Sequence, residues 1–180
     1  MTRRMAGTAA LAALVLFGSA CDDDDPARVD VPDLTRADVA GVYDMTILTF
    51  DPQGLGLPEA DMLARLDPGT VPQLVVAANE DSLQLVFRRP GELVRTVAGS
   101  YRLGDTSIEV RFANSTEPGL ILLPQTFDLN FDETEGELWY AAPVPVDTTR
   151  LFELVDEWSG EPVTNPLPGQ LEVVFDRTTP

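Results

Sequence analysis

A two-residue alternation of apolar and polar side chains recurs along this chain in short runs parted by turn-forming residues. No other feature restricts the fold as much. In 107–112, Ile108, Val110 and Phe112 alternate with Glu109 and Arg111. In 126–131, Phe127, Leu129 and Phe131 repeat the pattern. Successive side chains of a strand point to opposite faces, so such runs form strands with one buried and one solvated face. The same reading places strands at 39–50, 73–78, 82–88, 92–103, 136–142, 149–155 and 170–176. Tyr43, Met45 and Ile47 then share one face of the first strand, and Leu83, Leu85 and Phe87 share one face of 82–88. Asn79-Glu80-Asp81 and Gly104-Asp105 supply turns between neighbouring runs.

Many short strands at regular spacing, with Gly, Pro and Asp between them, define an all-β domain. The expected architecture is an antiparallel up-and-down meander of about eight to nine strands closed into a barrel, with a β-sandwich as the alternative. The first connection, 51–70, is long. Within it, residues 57–69 carry Pro58 at a natural first helical position, Met62, Leu63 and Leu66 on one side, and Asp67-Pro68-Gly69 as a stop. This predicts one short helix or two turns. Connections of that length often serve as lids or binding loops.

The chain opens differently. Arg3 and Arg4 precede an uncharged stretch, Met5 to Ala20, in which Leu11, Leu14, Val15, Leu16 and Phe17 are apolar. The run is shorter than the roughly 20 residues a membrane-spanning helix needs. Small residues Gly18, Ser19 and Ala20 follow, and the charged, apolar, small-residue order is that of a secretory signal. Phe17-Gly18-Ser19-Ala20-Cys21 resembles the lipobox of bacterial lipoproteins, with Gly18 where leucine is commoner. The resemblance implies cleavage between Ala20 and Cys21, lipid attachment at Cys21, and a protein held at a membrane of the cell envelope on its periplasmic or cell-surface side. Several acyl chains on one residue anchor durably where a single chain binds only marginally. Asp22 to Asp25, Pro26 and the unpatterned residues to Asp33 read as a tether. The expected organisation is a signal at 1–20, a lipidated cysteine with an acidic tether at 21–33, and one domain at 34–180.

Charge and composition narrow the chemistry. Cleavage would remove Arg3 and Arg4 and leave thirty acidic residues against ten arginines. The chain contains no lysine and no histidine. Such a surface repels nucleic acid and anionic headgroups. With Cys21 as the single cysteine and no histidine, zinc sites, thiol nucleophiles and Ser-His-Asp chemistry are excluded from the domain. Asp132-Glu133-Thr134-Glu135-Gly136 lacks the ligand spacing of a calcium loop and reads as a polar turn. Asp105-Thr106 and Asp147-Thr148 lack the glycine that follows Asp-Thr in aspartic proteases and also read as turns. No metal or cofactor is expected, and no catalytic residue is assigned.

Gly41-Val42-Tyr43, at the opening of the first strand, is similar to the Gly-x-Trp start of lipocalins with tyrosine for tryptophan, and Arg177 follows the last strand as an arginine does there. The resemblance implies a barrel whose floor is closed by Tyr43 beneath Arg177, beside Gly41. It implies a cup for a small hydrophobic ligand. Met45, Phe87, Tyr101, Phe112, Phe127, Trp139 and Phe152 are candidates to line that cup, or else to fill it as a packed core, since aromatic rings are natural filler of a β interior. The functional expectations are a carrier of a small hydrophobic ligand or, alternatively, a non-catalytic structural lipoprotein that engages an envelope protein partner.

Overall fold

The computed structural model describes residues 34–53, 56–66, 69–88, 95–113 and 121–178. The signal, Ala20, Cys21 and the tether lie outside the described residues.

Helix α1 (Arg36–Val39) leads into β1 (Gly41–Asp51). The strands that follow are β2 (Ala60–Asp61), β3 (Val71–Val76), β4 (Ser82–Arg88), β5 (Arg95–Leu103), β6 (Ser107–Phe112), β7 (Thr126–Asp132), β8 (Glu137–Val146) and β9 (Leu167–Arg177). Helix α2 (Thr148–Leu154) and a 3₁₀ turn (Asp156–Trp158) lie between β8 and β9. All pairings are antiparallel, and consecutive strands from β3 to β9 are neighbours. β1 pairs with β3 over Gly41–Asp44 and with β9 over Tyr43–Asp51, and this second pairing closes the sheet. The fold is therefore a closed eight-stranded, lipocalin-like barrel, with two-residue β2 added to β1 at Thr49 and Phe50. The sandwich alternative is ruled out by the β1–β9 ladder.

An antiparallel meander sends alternate connections to opposite ends. The short turns 77–81, 104–106 and 133–136 gather with α1 at one end, and the described segments 56–66, 121–125 and 147–166 lie towards the other. Gly136 has φ +69, a left-handed conformation that closes the β7–β8 turn and that a side chain would strain. Two features depart from simple alternation. A bulge at Thr46 places Met45 opposite Phe175 but Ile47 opposite Val174. The extra residue reverses the phase, so Leu48 and Phe50 point inward and Ile47, expected inside with Tyr43 and Met45, points out. The stretch 149–155, expected as a strand, is mostly helix α2. Its Asp147 side chain accepts from Thr149 N at 2.8 Å, and Leu151 and Val155 share one buried face four residues apart. In the first long connection, Arg65 N bonds Met62 O and Leu66 N bonds Leu63 O, so the two turns form rather than the helix.

One continuous apolar cluster lies inside the barrel. Its inward positions include Tyr43, Leu74, Leu83, Leu85, Tyr101, Ile108, Val110, Phe112, Leu129, Leu138, Leu171, Val173 and Phe175, none more than 1% exposed. Each such large side chain contributes about 1.5–3 kcal/mol on full burial. β9 lies against β1 with no room to spare, because a Cβ on Gly169 would stand 2.3 Å from Phe50 Cζ and 2.6 Å from Asp51 O. Gly169→Ala must push the two strands apart and is expected to cost about 1–3 kcal/mol, as overpacked cores do. A urea melt of the full chain measures it. An unchanged midpoint would contradict the tight seam.

Candidate functional site

The closed end of the barrel assembles Gly41, Tyr43 and Arg177. Register sets Tyr43 opposite Arg177 in the β1–β9 ladder. The Tyr43 ring is fully buried, and its hydroxyl donates to Val39 O at 2.8 Å. The same hydroxyl accepts from Arg177 Nη2 at 2.6 Å and Nε at 3.2 Å. Arg177 Nη2 also donates to Asp38 O, which ties the last strand to α1. The guanidinium carbon stands 5.2 Å from the Tyr43 ring centre and 5.6 Å from that of Phe131. Both lie within cation–π range. Burial pushes the Tyr43 hydroxyl above its ordinary value, and the Arg177 charge partly opposes that rise. A Cβ on Gly41 would meet Arg177 Nε and Tyr43 Cε2 at 3.4 Å, an ordinary contact, so glycine is close to this cluster without being demanded by it.

Around this cluster the same end is laced shut. Thr35 and Asp38 form a capping box on α1, with Thr35 N donating to Asp38 Oδ2 at 2.8 Å. Arg36 Nε donates to Asp81 Oδ1 at 2.7 Å, joining α1 to the β3–β4 turn. Tyr101, just inside, donates its hydroxyl to Ala77 O at 2.9 Å.

The other candidates divide between interior and exterior. Met45, Tyr101, Phe112 and Phe127 are buried inside, with Phe112 and Phe127 ring centres 6.1 Å apart. Phe87 is half-buried and packs on the core beside Leu85. Phe152 packs there too, but from α2 rather than from a strand. Trp139 is a correction. It faces outward at 39% exposure, while its neighbour Tyr140 turns inward and meets Phe127 edge-on at 5.2 Å. Pairing decides this, because Leu138 and Tyr140 lie opposite the inward Phe175 and Val173.

Residues that were not candidates for the site complete the core. Met62, Leu151, Val155 and Trp158 are buried, and Trp158 lies 6.5 Å from Phe50, ring centre to ring centre. Met62 was visible only as one apolar residue of a short periodic run, and Trp158 stood in no period at all. A bidentate pair, Arg65 Nη1 and Nη2 with Glu157, joins the first long connection to the 3₁₀ turn, one of its bonds being 2.8 Å. The Arg65 guanidinium lowers the Glu157 carboxyl to about 2. A depressed folded value means that this contribution is complete above the ordinary carboxylate range and is lost as pH falls toward about 2.

The polar turns bond their own backbone. Asp132 Oδ1 accepts from Thr134 N at 2.8 Å and from Glu135 N at 3.2 Å. Gly104 N bonds Ser107 O at 2.7 Å. Among the described residues, no group of three or more carboxylates is placed to hold a metal ion. Comparison with protein-family models, curated proteins and solved structures finds no match.

Tyr43 and Arg177 should behave as one unit. Tyr43→Phe and Arg177→Ala are each expected to cost about 1 kcal/mol, and their double-mutant cycle should leave a coupling above about 0.5 kcal/mol. Urea melts of the four full-length forms measure this. Strict additivity would mean that the two groups touch without depending on each other.

Proposed function

We propose that this chain is a lipid-anchored, non-catalytic barrel protein of the bacterial cell envelope, which acts by presenting its outer surface to a protein partner rather than by enclosing a ligand. The observation that carries the reading is the full burial of most inward side chains, Tyr43, Leu85, Tyr101, Val110, Leu129, Val173 and Phe175 among them, with Phe87, Phe131 and Tyr140 half-buried against them. A residue lining a cavity large enough for a small molecule exposes surface to that cavity. An eight-stranded barrel is narrow enough to be filled by its own side chains, and here Tyr43, Phe50, Tyr101, Phe112 and Phe175 are the filling. The absence of histidine from the sequence, and of any cysteine after Cys21, supports the non-catalytic part. The lipobox-like leader supports the anchor.

A second reading, carriage of a small hydrophobic ligand, draws on the lipocalin-like layout of the closed barrel. It requires the buried rings to move aside. One experiment separates the two. The full chain is titrated with a fluorescent fatty acid and with a retinoid, alongside a Cys21→Ser form expressed in bacteria. The packed, anchored reading expects no saturable uptake of either probe, and loss of membrane attachment or of processing in Cys21→Ser. Stoichiometric uptake would favour the carrier. Normal processing and attachment without Cys21 would overturn the anchor.

A further inference from the structure

The outer face of β7, β8, β9 and β1 differs from the rest of the barrel. Along β8 the outward positions Trp139, Ala141, Pro143 and Pro145 are all apolar and exposed. Pairing extends this column sideways, because Trp139 lies opposite Val174, and Val174 opposite Ile47. Trp139 and Ile47 are 39% and 38% exposed, with Val174 at 7% between them. A column and a row of apolar side chains thus meet at a half-exposed tryptophan on a solvent-facing sheet. An aromatic ring offers large rigid contact area there at little conformational cost.

What surrounds that surface has one sign. The next row across the same strands is Asp132, Glu137, Asp176 and Asp44, each opposite the next in register. On the other side of the tryptophan row, Glu172 stands opposite Ala141 and Thr49. Partial burial, and then the neighbouring Asp176 and Asp132, raise the Glu137 carboxyl above its ordinary value, as expected of acids crowded together. Asp44 accepts from the neutral Gln73 Nε2 at 2.6 Å. No outward position of these four strands carries an arginine. Arg177, at the end of β9, is turned onto Tyr43 and Phe131. The outward arginines Arg102 and Arg111 lie on β5 and β6, and ion pairs form elsewhere on the domain, as at Arg36–Asp81 and Arg150–Glu153.

From this arrangement we infer that the β8–β9–β1 face is a docking surface for a cationic protein segment, one that sets apolar side chains on Trp139, Val174 and Ile47 and arginines or lysines against the flanking carboxylates. The inference deepens the reading of the protein as a partner-binding barrel and rests on it. Charge complementarity selects the occupant. A second copy meeting this face through its own would set acid against acid, and an anionic membrane would be repelled. A small inorganic cation would leave the tryptophan row unused. Long-range attraction draws a basic partner in, and the apolar row holds it.

The test uses the full chain in nonionic detergent and a labelled short peptide of alternating arginine and leucine, followed by fluorescence anisotropy at low and high salt. Peptides alternating arginine with serine and glutamate with leucine are the comparisons. The arginine–leucine peptide is expected to bind, and the other two to bind at least about tenfold more weakly. Trp139→Ser should weaken binding by about the same factor, and Trp139→Tyr should retain most of it. Asp176→Asn with Glu172→Gln should weaken binding and flatten its salt dependence, whereas Glu109→Gln on β6 should leave it unchanged. Equal binding by Trp139→Ser would overturn the proposal, as would equal binding of the arginine–serine peptide. So would a dimer in sedimentation, or attachment to phosphatidylcholine vesicles, that disappears with Trp139→Ser. Loss of this docking alone leaves the packed, anchored barrel standing, because that reading falls to ligand uptake or to attachment without Cys21.

Discussion

Main-chain pairing between β1 and β9 is the contact on which the rest of the structure depends. It joins the two ends of the domain's strand order, and without it the meander is an open sheet with two exposed edges. The ladder runs from Tyr43–Arg177 to Asp51–Gln170, and side chains complete it at both ends. At one end Arg177 reaches across to the Tyr43 hydroxyl and to the backbone of α1. At the other, Gly169 lets β9 lie directly on Phe50, and Phe50 in turn packs on Trp158. The bulge at Thr46 belongs to the same seam. It turns Leu48 and Phe50 into the core and leaves Ile47 outside, so the closing strand contributes to both the interior and the outer apolar row.

Much of this was legible in the residues. Period-two patterning placed β6 and β7 correctly because each carries three inward apolar residues with polar neighbours between them. Gly41, Tyr43 and Arg177 fall together, and only their similarity to another family's motif connected residues so far apart in the chain. The misreadings have local causes. Nothing in Asp44-Met45-Thr46-Ile47 marks a bulge, since Met45 and Ile47 alternate well. The phase change shows only from Leu48 and Phe50, and it takes the β9 partner to decide. Residues 149–155 carry Leu151, Phe152, Leu154 and Val155, which do not keep a strict two-residue alternation, and the Asp147 cap starts a helix there. Trp139 and Tyr140 are adjacent aromatics, so composition alone does not tell which one faces in.

The interior and exterior therefore carry different parts of the account. Among the described residues the inward side chains form one apolar cluster, and under the proposed function the outer wall is the surface that meets a partner. That wall is divided. Arginines and acids mix on β5 and β6, whereas β7, β8, β9 and β1 present acids around an apolar row. A lipid at Cys21 and an acidic tether would hold such a domain near a membrane and keep it off anionic headgroups.

The β1–β9 ladder makes the barrel a closed unit rather than a sheet that opens along a seam. Native-state amide hydrogen exchange tests it most directly. The account predicts that amides of Val173 and Phe175 on β9 exchange only through global unfolding, with the same protection as Leu83 and Leu85 on β4. Markedly faster exchange confined to β1 and β9, with β4 still protected, would contradict it.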